Sequence, residues 1–273
     1  LSVIDATLAL YKKITVEHLR QTIQSKHIRY DKAGEEHYNT VSAFIKSMRG
    51  GDVDASVYYL AAMLEAQRDD GNRRQALILA AAQRFKLKGY DATTTREIAA
   101  QIGMQPGSPF YHFGNKQDLL LAVMVEGMKR AITDQHAALN ALLTQSPKAT
   151  ASAKLRTLVR HHFDVLLGPQ SDFIPVMLYE GRALNSAQRQ TINALKNDYE
   201  AAWIPVLQAL FERQELRAPV GLARLMIFGA LNWAVQWYEA PPSIPKKRAK
   251  NQHATLDELT EAALLLFLRP SSR

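Results

Sequence analysis

Between residues 72 and 118, single glycines cut the chain into helical segments too short to be stable alone, and this spacing constrains the fold more than any other feature. The first segment, about 72–88, sets Ile78, Ala81 and Phe85 at separations of three and four, on one face of a helix. Gly89 follows, as a helix C-cap often requires. Thr94 and Glu97 then have capping-box spacing: the hydroxyl caps the amide of residue 97 and the carboxylate reaches back. Ile98, Ala99 and Ile102 supply a small apolar face, and Gly103 permits a tight turn between two crossed helices. A third helix is predicted from Pro106, a favourable first-turn position because its missing N–H would be unpaired anyway. A fourth opens at Gly114-Asn115-Lys116.

Charge follows the same segment. Residues 71–118 carry seven basic against three acidic side chains, out of a formal net charge of +8 for the chain. Residues 1–70 carry nine against ten, and residues 119–273 carry 18 against 13. Much of that last excess is the run at 246–250, flanked by Pro241, Pro242 and Pro245, which reads equally as a solvated linker. In the middle segment, Gly107 and Ser108 are small enough for close approach to a groove. Tyr111 and His112 can donate to phosphates, and Lys116 sits where an ammonium and a helix N-terminus both favour one. A short helix flanked by phosphate donors is the plan of a major-groove reader. Simpler readings stand beside each residue. Thr94 and Glu97 cap a helix with or without DNA, Phe85 and Phe113 read as core, and His112 alone is an ordinary surface histidine.

The ordered set Gly89-Tyr90, Thr93-Thr94, Ile98-Ala99, Gly103, Gly107-Ser108, Tyr111-His112-Phe113, Lys116 and Leu119-Leu120 resembles the TetR family of transcriptional regulators. The resemblance implies a three-helix DNA-binding domain at each end of a two-fold homodimer, bound to double-stranded DNA at a palindromic operator. By the same resemblance Arg96, Gln105, Pro106, Ser108 and Phe110 lie in or beside the groove, with Thr94, Tyr111, His112 and Lys116 on phosphates, and Thr95 is a further candidate DNA-binding residue. Two departures stand out: Arg84 replaces the usual leucine, and Leu79 and Leu87 occupy places that are usually polar. The two leucines share a face, which serves either to pack against something added to the domain or as tolerated surface.

The rest of the chain also reads as helix, so the fold class is all-α, with no hairpin signal. Six helices are predicted after the reader: about 117–144, 151–167, 172–184, 187–214, 219–239 and 255–268. Asn232-Trp233 and Trp237-Tyr238, followed by Thr255-Leu256-Asp257-Glu258-Leu259, look like the ligand-binding half of regulators of fatty-acid or sterol degradation. That resemblance implies an acyl-CoA-type or other apolar effector. Met177, Glu180, Trp233, Trp237 and Tyr238 are the candidate ligand residues. Trp233 and Trp237 read equally as dimer core, and Glu180 and Arg182 equally as a solvated helix end. Helices 219–239 and 255–268 carry more apolar surface than a monomer should expose, so they are expected to pair with their symmetry mates. Arg224, Asn232 and Gln236 mark 220–238 as a buried helix rather than a membrane span. His161 and His162 point about 100° apart on a helix, against joint metal ligation.

The first seventy residues differ in kind. The stretch Arg29-Tyr30-Asp31-Lys32-Ala33-Gly34-Glu35-Glu36-His37-Tyr38-Asn39, with Gly50-Gly51-Asp52-Val53-Asp54-Ala55 and Tyr58-Tyr59-Leu60-Ala61-Ala62-Met63, resembles the lid-to-C-terminal region of replication-associated recombination AAA+ ATPases. Helices are expected at about 15–25, 37–49 and 53–66. No G-x-x-x-x-G-K-[ST] loop occurs in the 273 residues, so an ATPase core is absent. The domains are therefore read as 1–70, an AAA+-like helical fragment; 71–118, the reader; and 119–273, effector binding and dimerisation, with the boundary at Arg68-Asp69-Asp70-Gly71-Asn72. The segment is either a real fusion or a misassembled reading frame; the chain begins at Leu1 rather than methionine.

Three function classes follow. The first is a ligand-responsive repressor acting as a dimer, the second a replication or recombination accessory protein working through residues 1–70, and the third an enzyme built on the helical body. No nucleophile–base motif, metal spacing or phosphate loop supports the enzyme, so no catalytic residue, metal or cofactor is expected. Zero cysteine excludes disulfides and thiol chemistry and fits a cytoplasmic protein; residues 1–10 lack the basic start of a signal peptide.

Overall fold

The computed structural model describes residues 35–169, 171–239 and 254–269. The helix expected at 15–25 and the basic run at 246–250 lie outside the described residues. Every element is helical: α1 (Glu35–Arg49), α2 (Val53–Lys88), α3 (Thr95–Gln101), α4 (Ser108–His112), α5 (Lys116–Gln145), α6 (Ala151–Leu167), α7 (Phe173–Glu180), α8 (Ser186–Ala201), α9 (Ile204–Glu212), α10 (Val220–Trp233) and α11 (Leu256–Phe267). Single 3-10 turns follow α7 (Gly181–Ala183) and α10 (Ala234–Gln236). Among the described residues the sole β pairing is an isolated bridge between Leu216 and Leu268. The all-α expectation holds.

The chain divides into two compact units, Leu1–Gln75 and Ala76–Arg273. In the first, α1 ends at Gly50-Gly51, where Gly51 takes φ +71°. The Asp52 carboxylate then accepts the Ala55 amide at 3.0 Å, which starts α2. Ala55 and Tyr58 are its buried apolar residues, and the Ser56 hydroxyl donates to that of Ser47 at 3.0 Å.

Two corrections concern helix ends. The break expected at Asp69-Asp70-Gly71 does not occur, because α2 runs on to Lys88. Gly71 has no positive φ, and one glycine in a helix interior costs about 1 kcal/mol, which a 36-residue helix tolerates. Conversely, the single helix expected at 187–214 is two. Pro205 in the first turn of α9 lacks the N–H that a continuous helix would need, so α8 stops at Ala201.

The second unit holds two apolar cores. One joins the reader to the body: Leu77, Ile78, Ala81 and Phe85 of α2 pack with Ile98, Phe113, Leu119, Leu120, Val123 and Met124, and on to Phe173, Val176 and Met177 of α7. The other centres on Leu155, Leu158, Val159, Trp203, Leu207, Leu210 and Ile227, with Leu264 of α11. Within the body, Gln135 is fully buried, its amide assigned so that it donates to the Tyr199 carbonyl at 3.0 Å and accepts from the Trp203 indole at 2.9 Å.

Candidate nucleic-acid interface and effector cavity

The reader is assembled as its punctuation predicts. Gly89 (φ +80°) ends α2, its N–H donating to Phe85 O at 2.9 Å. The Thr94–Glu97 capping box forms in both directions: the Glu97 amide donates to Thr94 Oγ1 at 3.2 Å, and Glu97 Oε2 accepts the Thr94 amide at 3.0 Å. Hydrogen bonds from Lys88 first, then from Thr94, hold the Glu97 carboxyl at about 2. Thr93 is buried, and its hydroxyl donates to Gly89 O at 2.8 Å, tying the two helices together. Gly103, φ +67°, makes the inter-helix turn.

The third reader helix is shorter than expected. It begins at Ser108 rather than Pro106, with Pro109 buried in its first turn, because residues 105–107 form a turn closed by Ser108 N–H to Gln105 O at 3.0 Å. Arg96, Gln105, Pro106, Phe110 and Tyr111 are exposed, Ser108 half so; Phe110 is 53% exposed, which is high for a phenylalanine in a folded domain. Thr95 is half-buried at the start of α3. The Thr94 hydroxyl is committed to the cap, and the half-buried His112 ring stacks edge-on with Tyr111 at 5.1 Å. The Lys116 ammonium lies 4.2 Å over the Tyr90 ring and 3.5 Å from Asp91 O, beside the start of α5. Asn115 caps α5 through the Asp118 amide at 2.9 Å. Arg84 does not pack as a leucine would; its Nε donates to Gln101 at 2.6 Å. Leu79 and Leu87 are both exposed.

In the body, α5, α6, α7, α8 and α10 line a partly open apolar cavity of about 170 Å³. Met128 and Ala131 line it from α5, His162 and Val165 from α6, and Ile174, Met177 and Leu178 from α7. Lys196, Tyr199 and Glu200 line it from α8, with Phe228 and Asn232 from α10. Burial holds His162 neutral, at about 4. With its proton on Nε2 it donates to Asn232 Oδ1 at 3.1 Å, and Nδ1 accepts from the Tyr199 hydroxyl at 3.1 Å; this tautomer follows from the partners. His161 faces elsewhere, donating to Ala131 O at 3.0 Å, so the adjacent histidines are not joint metal ligands. Among the described residues no group of three acidic or imidazole side chains is set to hold a metal. No described helix is long and apolar enough to cross a membrane.

Of the five candidate ligand residues, Met177 lines this cavity. Glu180 does not: its Oε1 accepts the Tyr90 amide of the reader at 3.1 Å. Glu180 and Tyr238 instead line a separate cleft of about 500 Å³ with Phe85, Lys86 and Gly89. Trp233 and Trp237 lie on the outer surface, 64% and 55% exposed. They continue an exposed apolar face with Leu222, Leu225 and Met226 of α10 and Leu265 and Leu266 of α11. His162, Tyr199, Phe228 and Lys196 were not legible as cavity residues, since nothing in the sequence marks which face of three separate helices turns inward.

The structure also reveals two further ties between the ends of α7 and the reader. Lys86 pairs with Asp172 at 3.0 Å, and Gln117 donates to Ala183 O just after α7. Thus α7 lines the cavity through Ile174, Met177 and Leu178 and grips the reader at both its ends.

Comparison with known proteins agrees with this arrangement. The family described as "Bacterial regulatory proteins, tetR family" matches residues 77–123, and the "Tetracyclin repressor-like, C-terminal domain" matches residues 148–255. The "AAA C-terminal domain" matches residues 2–49. The fatty acid metabolism regulator protein of Bacillus subtilis is 30% identical over 161 residues, 58% of this chain and 79% of that protein. A crystal structure of the transcriptional regulator FadR from Bacillus subtilis in complex with stearoyl-CoA is 26% identical, with TM-score 0.53, over 70% of this chain and 96% of that one. Replication-associated recombination protein A of Bacillus subtilis is 40% identical over 67 residues, 24% of this chain and 16% of that protein. The chain spans no more than 23% of the length of this protein and of a matched mycobacterial AAA domain-containing protein. By its reader, its body and its relatives, this chain belongs to the TetR family of bacterial transcriptional regulators.

Proposed function

We propose that the protein is a ligand-responsive repressor that binds a palindromic operator as a homodimer and releases it when an acyl-CoA or similar apolar molecule fills the body cavity. Residues 71–118 read the DNA, 119–273 bind effector and partner subunit, and 1–70 are an AAA+-like helical appendage. The observation that carries this reading is mechanical: α5 and α7 are shared walls of the cavity and of the reader's packing. A ligand between them displaces Met128, Ile174 and Met177 and with them the helix ends that hold Lys86 and Tyr90. Two reading helices must sit about 34–36 Å apart to enter successive major grooves, so a small rotation in each subunit disfavours the bound state. The effector shifts operator affinity only by as much as it prefers the displaced state, typically about 5–150-fold.

The exposed apolar face of α10 and α11 supports the dimer, because Leu222, Leu225, Met226, Trp233, Leu265 and Leu266 together exceed the scattered leucines of a monomer surface. The kinship with a fatty acid metabolism regulator and with a stearoyl-CoA-bound structure supports the effector class. A repressor acting on chromosomal DNA would work in the cytoplasm. The test is operator binding against salt. Tyr111→Phe with Lys116→Ala should weaken binding to all sequences, and the lost Lys116 charge in each subunit should lower the salt slope by about one to two. A changed sequence preference with an unchanged slope would overturn that assignment.

A further inference from the structure

The apolar cavity is only partly closed. A second cleft of about 320 Å³ adjoins it and shares three lining residues, Met177, Leu178 and Lys196. Its remaining wall carries Arg182 from the 3-10 turn and Arg189 from α8. Arg189, Ile192, Asn193 and Lys196 fall at i, i+3, i+4 and i+7, so α8 turns one continuous face toward this cleft. No carboxylate lines it. The nearby acids are engaged elsewhere: Glu200 pairs with Arg224, and Glu180 holds the Tyr90 amide. Lys196, half-buried at the junction, forms no ion pair among the described residues, nor do Arg182 and Arg189. One Arg189 nitrogen donates to Leu184 O at 2.7 Å, which fixes the guanidinium while leaving its other donors for a ligand.

Three like charges on one small groove, with no counter-charge, raise a local positive potential that an anion relieves. The fork of arginine and the point charge of lysine both suit phosphate oxygens. The apolar cavity beside them is close in size to the roughly 150 Å³ void that accommodates benzene, a six-carbon load.

We propose that Arg182, Arg189 and Lys196 are the headgroup clamp of the effector site, binding the phosphates of a thioester conjugate whose short acyl chain enters the cavity past Lys196. This rests on the effector reading above. The clamp makes the site selective for phosphorylated conjugates over free acids of the same chain, and it makes effector binding salt-dependent while tail binding is not.

The test is calorimetric titration of the full chain with hexanoyl-CoA, with hexanoyl-pantetheine, which keeps the thioester and lacks the phosphates, and with hexanoate. The wild-type chain should bind hexanoyl-CoA tightest, with an affinity that falls as salt rises. The double variant Arg182→Gln, Arg189→Gln, whose residues line the cleft and not the cavity, should lose affinity for hexanoyl-CoA on the order of tenfold per charge removed, while its affinity for hexanoyl-pantetheine stays within about twofold. Retained pantetheine binding also shows that the variant is folded; Arg182→Gln alone should show the same selective loss if the double variant does not fold. Equal binding of hexanoyl-CoA and hexanoyl-pantetheine by the wild-type chain, or unchanged hexanoyl-CoA binding by the variants, overturns the clamp alone. Failure of the wild-type chain to bind either thioester overturns the effector reading and the clamp with it.

Discussion

His162 gives the body a built-in pH dependence whose size can be worked from the structure. Burial, above all, drives its imidazole from the ordinary 6.5 to about 4, although the Asn232 side chain pulls the other way. An unfolded chain therefore takes up this proton well before the folded one does. The contribution is complete above pH 6.5 and is lost as pH falls from 6.5 toward 4, at up to about 1.4 kcal/mol per pH unit, or about 3 kcal/mol in all. His161, also lowered chiefly by burial, adds a term of the same sign. Glu97 acts in a separate window, since its lowered carboxyl value makes its loss fall below about pH 4.5. His162→Gln keeps a donor for Asn232 and an acceptor for Tyr199 but removes the titration. Urea unfolding followed by circular dichroism, at fixed protein concentration and at pH 7.5, 6.5, 5.5 and 4.5, measures the difference. The variant should be the less stable chain at pH 7.5, and the gap should close by about 3 kcal/mol by pH 4.5 or just below. A gap that does not change with pH would refute the reasoning, because it would mean His162 is protonated or solvated in the folded state.

The other predictions concern the shared walls and the appendage. Gly127 lies where α5 meets α7, and a Cβ there would stand 2.4 Å from Phe173 Cβ. Gly127→Ala should therefore destabilise the unit by about 1–3 kcal/mol, partly offset by about 1 kcal/mol of helix propensity, and should reduce the effector's hold on operator affinity; thermal melts and operator titrations with and without effector check both. Removal of residues 1–70 should leave operator affinity within about twofold in a mobility-shift titration, because the reader's buried α2 residues begin at Leu77. Abolished binding would show that the appendage takes part in recognition.

The reader was legible because local chemistry fixes it. Gly89, Gly103 and the Thr94–Glu97 box each act within a few residues, and each forms as its spacing demands. Errors arose where two local signals compete. Pro106 and Pro109 both suit a first helical turn, and the buried contact of Pro109 decides. Asp69-Asp70-Gly71 has the composition of a turn, yet each residue also tolerates helical backbone, and α2 continues. Pro205 sits inside an amphipathic pattern that continues on both sides, and its missing N–H splits that pattern into α8 and α9. The cavity was not legible at all beyond Met177, because its lining comes one turn at a time from five helices. Glu180 is the instructive case: the residue was singled out, but for the cavity, and only the fold shows its carboxylate holding the Tyr90 amide of the reader.

The account's central claim is that ligand in the body controls a paired reader. The most direct measurement is selection of DNA sites from random sequence with the full chain, followed by titration of the winning site with acyl-CoA. The account predicts a palindrome with half-site centres about one helical turn apart or a multiple of it, bound by a dimer and released by the thioester. Enrichment of no sequence, or a single half-site held by a monomer and indifferent to thioester, would contradict it.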